Sequence, residues 1–107
     1  VLNAKKKSHI KNVIVKNVTA LESGILKLTG GITFYRSNVI FENVSIEGVY
    51  AEDAINIVES MFSMNLVNIN KASSDGLDSD FSQGVVAQSK FSNIQGDALD
   101  FQEVLLI

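Results

Sequence analysis

The chain has 107 residues, 46% of them hydrophobic, a formal charge of −3 and no Cys, Pro or Trp. That is the length of about one small domain with a limited core, and without Cys a disulfide framework, a thiolate metal site and a cysteine nucleophile are excluded. No apolar run approaches the roughly 20 residues that span a bilayer, so no membrane partner is expected, and the first residues lack the basic-then-apolar profile of a signal peptide.

In chain order, residues 1–36 come first, with seven basic groups (Lys5, Lys6, Lys7, Lys11, Lys16, Lys27 and Arg36) against Glu22 alone. The cluster Lys5, Lys6 and Lys7 beside His9, the one histidine, reads as a solvated surface. No aromatic residue interleaves with it for base stacking, so no nucleic-acid partner is expected. Residues 37–107 reverse the balance, with Lys71 and Lys90 against eleven acids. One end therefore attracts anions and the other cations.

Four short segments then alternate apolar and polar residues before a turn-prone position. They are Val13-Ile14-Val15-Lys16-Asn17-Val18, Val44-Ser45-Ile46-Glu47-Gly48-Val49, Val67-Asn68-Ile69-Asn70-Lys71-Ala72 and Ser89-Lys90-Phe91-Ser92-Asn93-Ile94. Asn17, Gly48 and Asn93 suit a left-handed backbone, and Lys71 departs from that pattern. The steps between Val15, Ile46, Ile69 and Phe91 are 31, 23 and 22 residues, so the first unit holds about nine extra residues, expected around Thr29-Gly30-Gly31. Behind three of these segments comes an Asp, a small residue, an aliphatic and Asn or Asp: Asp53-Ala54-Ile55-Asn56, Asp75-Gly76-Leu77-Asp78 and Asp97-Ala98-Leu99-Asp100, at steps of 22 and 22.

An apolar period of two in short stretches, broken by Asn, Ser, Gly and Asp, points to strands and tight corners rather than helices. Val and Ile supply 23 residues and Asn and Ser another 22, which suits such a chain. A propeller blade needs about 40 residues, and the Leu-x-x-Leu-x-Leu pattern of a leucine-rich repeat is absent. A 22-residue unit instead fits an all-β solenoid, a parallel β-helix whose coils stack about 4.8 Å apart. About four coils are expected in a single domain or fragment spanning 1–107, with regular coils over about 37–104 and an insertion-bearing first coil over about 10–36. Stacking predicts inward ladders Ile55/Leu77/Leu99, Ile46/Ile69/Phe91 and Val49/Ala72/Ile94. It also predicts an outward row Asn56/Asp78/Asp100 beside Val58, Asp80 and Gln102, and Lys16 opposite Glu47.

With these segments in register, the chain resembles the right-handed parallel β-helix proteins of the pectin-lyase-like superfamily over roughly residues 10–103. The resemblance implies a right-handed coil, an extracellular or cell-surface location, and binding of polysaccharide, often acidic, in a groove beside one sheet. The same coil serves lyases, hydrolases, epimerases and phage tailspikes, so it implies fold more than activity. Ser74-Asp75-Gly76-Leu77-Asp78 followed by Gly96-Asp97-Ala98 is similar to the polygalacturonase-type glycoside hydrolases, whose pattern is Asn-Thr-Asp-Gly-x-Asp and then Gly-Asp-Asp. That similarity implies Asp75 and Asp97 as catalytic aspartates. Ala98 replaces the second Asp of the pair, Ser73-Ser74 replaces Asn-Thr, and neither Gly-His-Gly nor Arg-x-Lys follows.

An inverting glycosidase needs an acid and a base carboxyl about 6.5–9.5 Å apart, and Asp75, Asp78 and Asp97 are the catalytic candidates from adjacent coils. The competing role for the repeated Asp is to cap backbone N–H groups at the corner before each strand. Asp80 and Asp100 are candidate binding residues on the outward row. Tyr35 and Arg36, assigned to the inserted stretch, are candidates for stacking on a sugar and for carboxylate recognition. Oxygen-only ligands suit Ca²⁺, for which Asp78 and Asp100 are the candidate site. The expected function is a module that binds or presents to polysaccharide without turning it over. The alternative is a fragment of a polysaccharide-degrading enzyme, a hydrolase or lyase acting on polyuronate. Val104-Leu105-Leu106-Ile107 is apolar and carries no polar cap, so a longer β-helix or self-association through this end is expected.

Overall fold

The computed structural model describes residues 1–19, 21–23, 26–28, 30–102 and 105–106. Their regular elements are all strands: β1 (Ser8–Thr19), β2 (Leu21–Ser23), β3 (Leu26–Leu28), β4 (Gly30–Tyr35), β5 (Val39–Tyr50) and β6 (Asp53–Val58). They continue with β7 (Met61–Ala72), β8 (Asp75–Asp80), β9 (Gln83–Ala87), β10 (Lys90–Ile94), β11 (Leu99–Gln102) and β12 (Leu105–Leu106). One parallel sheet runs β1-β5-β7-β9-β12, with β10 also paired to β7, and a second runs β4-β6-β8-β11. Alternating between two parallel sheets, the chain winds a β-solenoid of about three turns.

Register sets the period. Val15 pairs with Ile46, Ile46 with Ile69 and Ile69 with Phe91. On the other sheet Ile32, Ile55, Leu77 and Leu99 form one column. The expected ladders align in register, as do Val49, Ala72 and Ile94, but Leu99 at the end of its inward column is 40% exposed. Ile55, Leu77, Val44, Val67 and Ile69 are completely buried, each worth roughly 1.5–3 kcal/mol. The two sheets meet through Phe34 and Phe41, whose rings pack edge to face at 5.6 Å. Within the inward column Phe34/Ile57/Ser79/Phe101, Ser79 is wholly buried and its hydroxyl makes no hydrogen bond among the described residues.

The surplus of the first coil lies earlier than the glycine pair. Thr19 pairs with Tyr50 but Gly30 already pairs with Asp53, so the extra residues fall between Thr19 and Gly30. There β2 and β3 form an antiparallel hairpin, Leu21 opposite Leu28. Gly30 and Gly31, like Tyr35, belong instead to the regular sheet. The glycines mark close packing: a Cβ on Gly30 would sit 2.8 Å from the Asn56 Cβ.

Three bends per turn are made by residues with positive φ, and they stack. Asn3, Arg36, Glu59 and Phe81 form one column, Asn12, Asn43, Leu66 and Gln88 a second, and Asn17, Gly48, Lys71 and Asn93 a third. Two such bends lie inside each of β1, β5 and β7, which is why the expected short strands merge into continuous 12-residue runs. Asn and Gly take this conformation most easily, and other L-residues do so at roughly 1–2 kcal/mol. Beside the first column, Ser37, Ser60 and Ser82 form a buried ladder. The Ser60 hydroxyl donates to Val58 O at 2.8 Å while accepting the Ser37 N–H at 2.8 Å, and Ser82 repeats this for Ser60. Each serine thus satisfies a corner N–H of the previous coil.

Candidate functional site

All six aspartates of the chain, at positions 53, 75, 78, 80, 97 and 100, gather on or beside the four-stranded sheet. Alternation puts Ile55, Ile57, Leu77 and Ser79 inside, and leaves Thr33, Asn56, Asp78 and Asp100 in one outer column. Tyr35, Val58 and Asp80 form the next outer column. At the corner preceding these strands, Asp53 pairs in register with Asp75, and Asp97 follows one coil later. The sequence-predicted site residues therefore share one sheet face and its two rims.

Of the corner aspartates, Asp75 binds backbone. Asp75 Oδ1 accepts the Asp97 N–H at 2.8 Å, and it lies so close to Gly96 that any side chain there would collide with it. That is the capping role weighed against catalysis above. Asp53 goes further inward, with only 2% of its surface exposed.

Two carboxyl pairs cross the coils diagonally. Asp53 and Asp78 share a hydrogen bond, and one coil later Asp75 and Asp100 do the same. Burial pushes Asp53 up to about 7, assisted by the negative charges of Asp78, Glu52 and Asp75. Burial likewise raises Asp78 to about 6, with Asp80 and Asp100 adding repulsion while the hydrogen bond with Asp53 opposes the rise. Asp100 is raised too, by desolvation first and then by Asp75 and Asp97. Near neutrality the face therefore holds protons as well as charges, because carboxylates stacked one coil apart repel unless a proton lies between them. Asp53, not chosen as a site residue from sequence, is raised further than Asp78. Its place in the first repeated Asp column was the available signal.

The other rim holds Tyr35 and Arg36. The Arg36 guanidinium lies over the Tyr35 ring at 5.1 Å, and its Nε pairs with Glu59 Oε2 at 2.5 Å. Both groups already have partners within the fold. Two coils further, Phe81 stands at the equivalent bend directly after Asp80 and is 57% exposed, an aromatic surface that sequence reasoning missed. Only the stacking of the bend column reveals its position on this rim. Lys16 stands opposite Glu47 in register as expected, without an ion pair between them; besides Arg36–Glu59, the ion pair among the described residues joins Lys11 to Glu42 at 3.9 Å.

Asp78 and Asp100 are neighbours in register, as the Ca²⁺ expectation requires. Among the described residues, however, no three acid or imidazole side chains are grouped to hold a metal ion. Val104 and Ile107, half of the apolar terminal segment, lie outside the described residues, while Leu105 and Leu106 pair with Gln83 and Gly84.

The register and the stacked core define this chain as a parallel β-solenoid. No protein-family model, no curated protein and no solved structure matches it.

Proposed function

We propose that the chain is a polysaccharide-binding β-helix module of the pectin-lyase-like type, working outside the cell or at its surface, and that its ligand lies across the outer face of the four-stranded sheet. The observation that carries this is the outer row of Asp78, Asp80 and Asp100 on that face, with Asp53, Asp75 and Asp97 at the corner beside it and Tyr35 and Phe81 on its rim. Carboxylate oxygens accept hydrogen bonds from sugar hydroxyls, and aromatic surfaces pack against the C–H faces of sugar rings. A face with this charge favours hydroxyl-rich neutral polymers, since a polyuronate would be repelled.

Binding without turnover is favoured because the acids are engaged with one another. Asp75, matched to a catalytic aspartate by resemblance, is occupied by the Asp97 N–H and the Asp100 carboxyl. The enzyme alternative rests on one observation, the rise of Asp78 to about 6, into the range where a carboxyl serves as a general acid.

The test is calorimetric titration of the full chain with neutral and acidic polysaccharides, run beside assays for reducing ends and for unsaturated uronate. Binding to a neutral polymer, weakened about tenfold or more by Asp80→Ala or Phe81→Ala and unaccompanied by product, is the expected result. Turnover abolished by Asp75→Ala and Asp97→Ala establishes the enzyme instead, and the absence of binding to every polymer overturns both.

A further inference from the structure

The chain has no cysteine and two methionines, Met61 and Met64, so two thioethers are all the sulfur that an oxidant can reach. They stand three residues apart on β7, and strand alternation therefore sends them to opposite faces. Met64 faces inward, in register with Phe41 on one side and Val86 on the other, and is 1% exposed. Met61 begins the strand, two residues after the bend at Glu59, and is 59% exposed.

The surroundings of Met61 are open and rich in donors. It lies between two surface hollows of about 300 and 140 Å³ and lines both. Its N–H is donated to Asn38 Oδ1 at 2.8 Å, which anchors the backbone independently of the side chain. Gln83 lines the larger hollow and Lys7 the smaller, and neither side chain makes a hydrogen bond or ion pair among the described residues. Phe81 shares the larger hollow, so a change of polarity at Met61 alters one of its two apolar walls.

We propose that Met61 is a site of reversible oxidation by peroxide, a modification that changes this corner of the surface and leaves the fold intact, while Met64 is shielded. The sulfur lone pair attacks one oxygen of hydrogen peroxide; an S–O bond forms as the O–O bond breaks, and the departing hydroxide takes the proton of the transferred hydroxyl and leaves as water. Sulfur loses two electrons and the peroxide gains them. At Met61 the new oxygen meets open space and two donors, the Lys7 ammonium and the Gln83 amide. On Met64 the same oxygen would place a polar group in a close-packed core, so that residue reacts only in the small fraction of chains whose coil has opened. The site uses none of the aspartates and stands whether or not the acid face takes a polymer.

The experiment exposes the full chain to hydrogen peroxide and follows both methionines by peptide mass spectrometry, with thermal melts before and after. Met61 takes up one oxygen at least about tenfold faster than Met64, and in concentrated urea the two rates converge, which assigns the difference to the fold. The chain oxidised at Met61 melts within about 2 °C of the untreated one. Reductases for both sulfoxide epimers, supplied with dithiothreitol, restore the original mass. Met61→Leu takes up no oxygen over the period in which the unaltered chain is fully oxidised at Met61. Comparable rates at the two methionines of the folded chain, a rate difference that persists in urea, a larger fall in melting temperature, a sulfoxide that the reductases leave in place, or uptake by Met61→Leu at the unaltered rate overturns the proposal.

Discussion

On the long sheet, the side-chain hydrogen bonds between stacked neighbours join amides and hydroxyls: Asn43 donates to Asn12 at 2.8 Å and Asn93 to Asn70 at 2.7 Å. On the four-stranded sheet, the polar groups brought together across coils are Asp53 with Asp78 and Asp75 with Asp100. Both sheets place successive coils about 4.8 Å apart. An amide has a donor and an acceptor and satisfies its neighbour at any ordinary pH, whereas a carboxylate has acceptors only and needs a proton to do so. The same repetition therefore gives one face whose ladder ignores pH and another whose ladder depends on it.

The largest expected effect separates packing from this chemistry. Leu77→Ala, at a completely buried position beneath the acid columns, should cost about 2–5 kcal/mol in urea unfolding. The loss should be similar at pH 5 and pH 8; a loss confined to one pH would make the core, rather than the carboxyls, the source of pH dependence.

A smaller effect tests the carboxyls directly. Asp53 titrates at about 7 in the folded chain against its ordinary value of 3.8. The folded state thus binds more protons between those limits, so stability is greatest near the lower one, falls as pH rises through the window and levels off above it. Asp78, raised to about 6, works in the same direction. Asp53→Asn keeps a donor for Asp78 and removes the buried charge. It is expected to raise stability at pH 8 by about 1–2 kcal/mol and to flatten the profile, as followed by thermal melts. A variant that melts lower at pH 8 while keeping the unaltered slope would remove Asp53 from this account.

The smallest effect belongs to the long sheet. Leu66 occupies a bend with φ 57° in the column of Asn12, Asn43 and Gln88 and is 46% exposed. Leu66→Asn should add about 1 kcal/mol, equally at pH 5 and pH 8, through an easier backbone and an extended amide column. A gain that changed with pH would join the two ladders that the comparison keeps apart.

The acid columns could be read from spacing because a parallel in-register coil turns a sequence period directly into neighbours. The bend columns could not be read completely. Asn17, Gly48 and Asn93 advertise a left-handed backbone, but Glu59, Leu66, Lys71 and Phe81 do not, and they adopt it because the coils on either side impose the path. The surplus in the first coil was countable yet misplaced at Thr29-Gly30-Gly31, since glycines mark close packing as often as loops and Gly30 packs on Asn56.

Apolar alternation and the 22-residue period were enough to establish an all-β parallel solenoid, its inward ladders and the charge of its faces, because each follows from which residues recur one coil apart. Tertiary structure decided the interactions that cross the columns. The Asp53–Asp78 and Asp75–Asp100 pairs run diagonally, and the Arg36 side chain folds onto Tyr35 and Glu59. Such contacts depend on side-chain direction and on the burial that sets proton affinity, and neither is encoded in a repeat spacing.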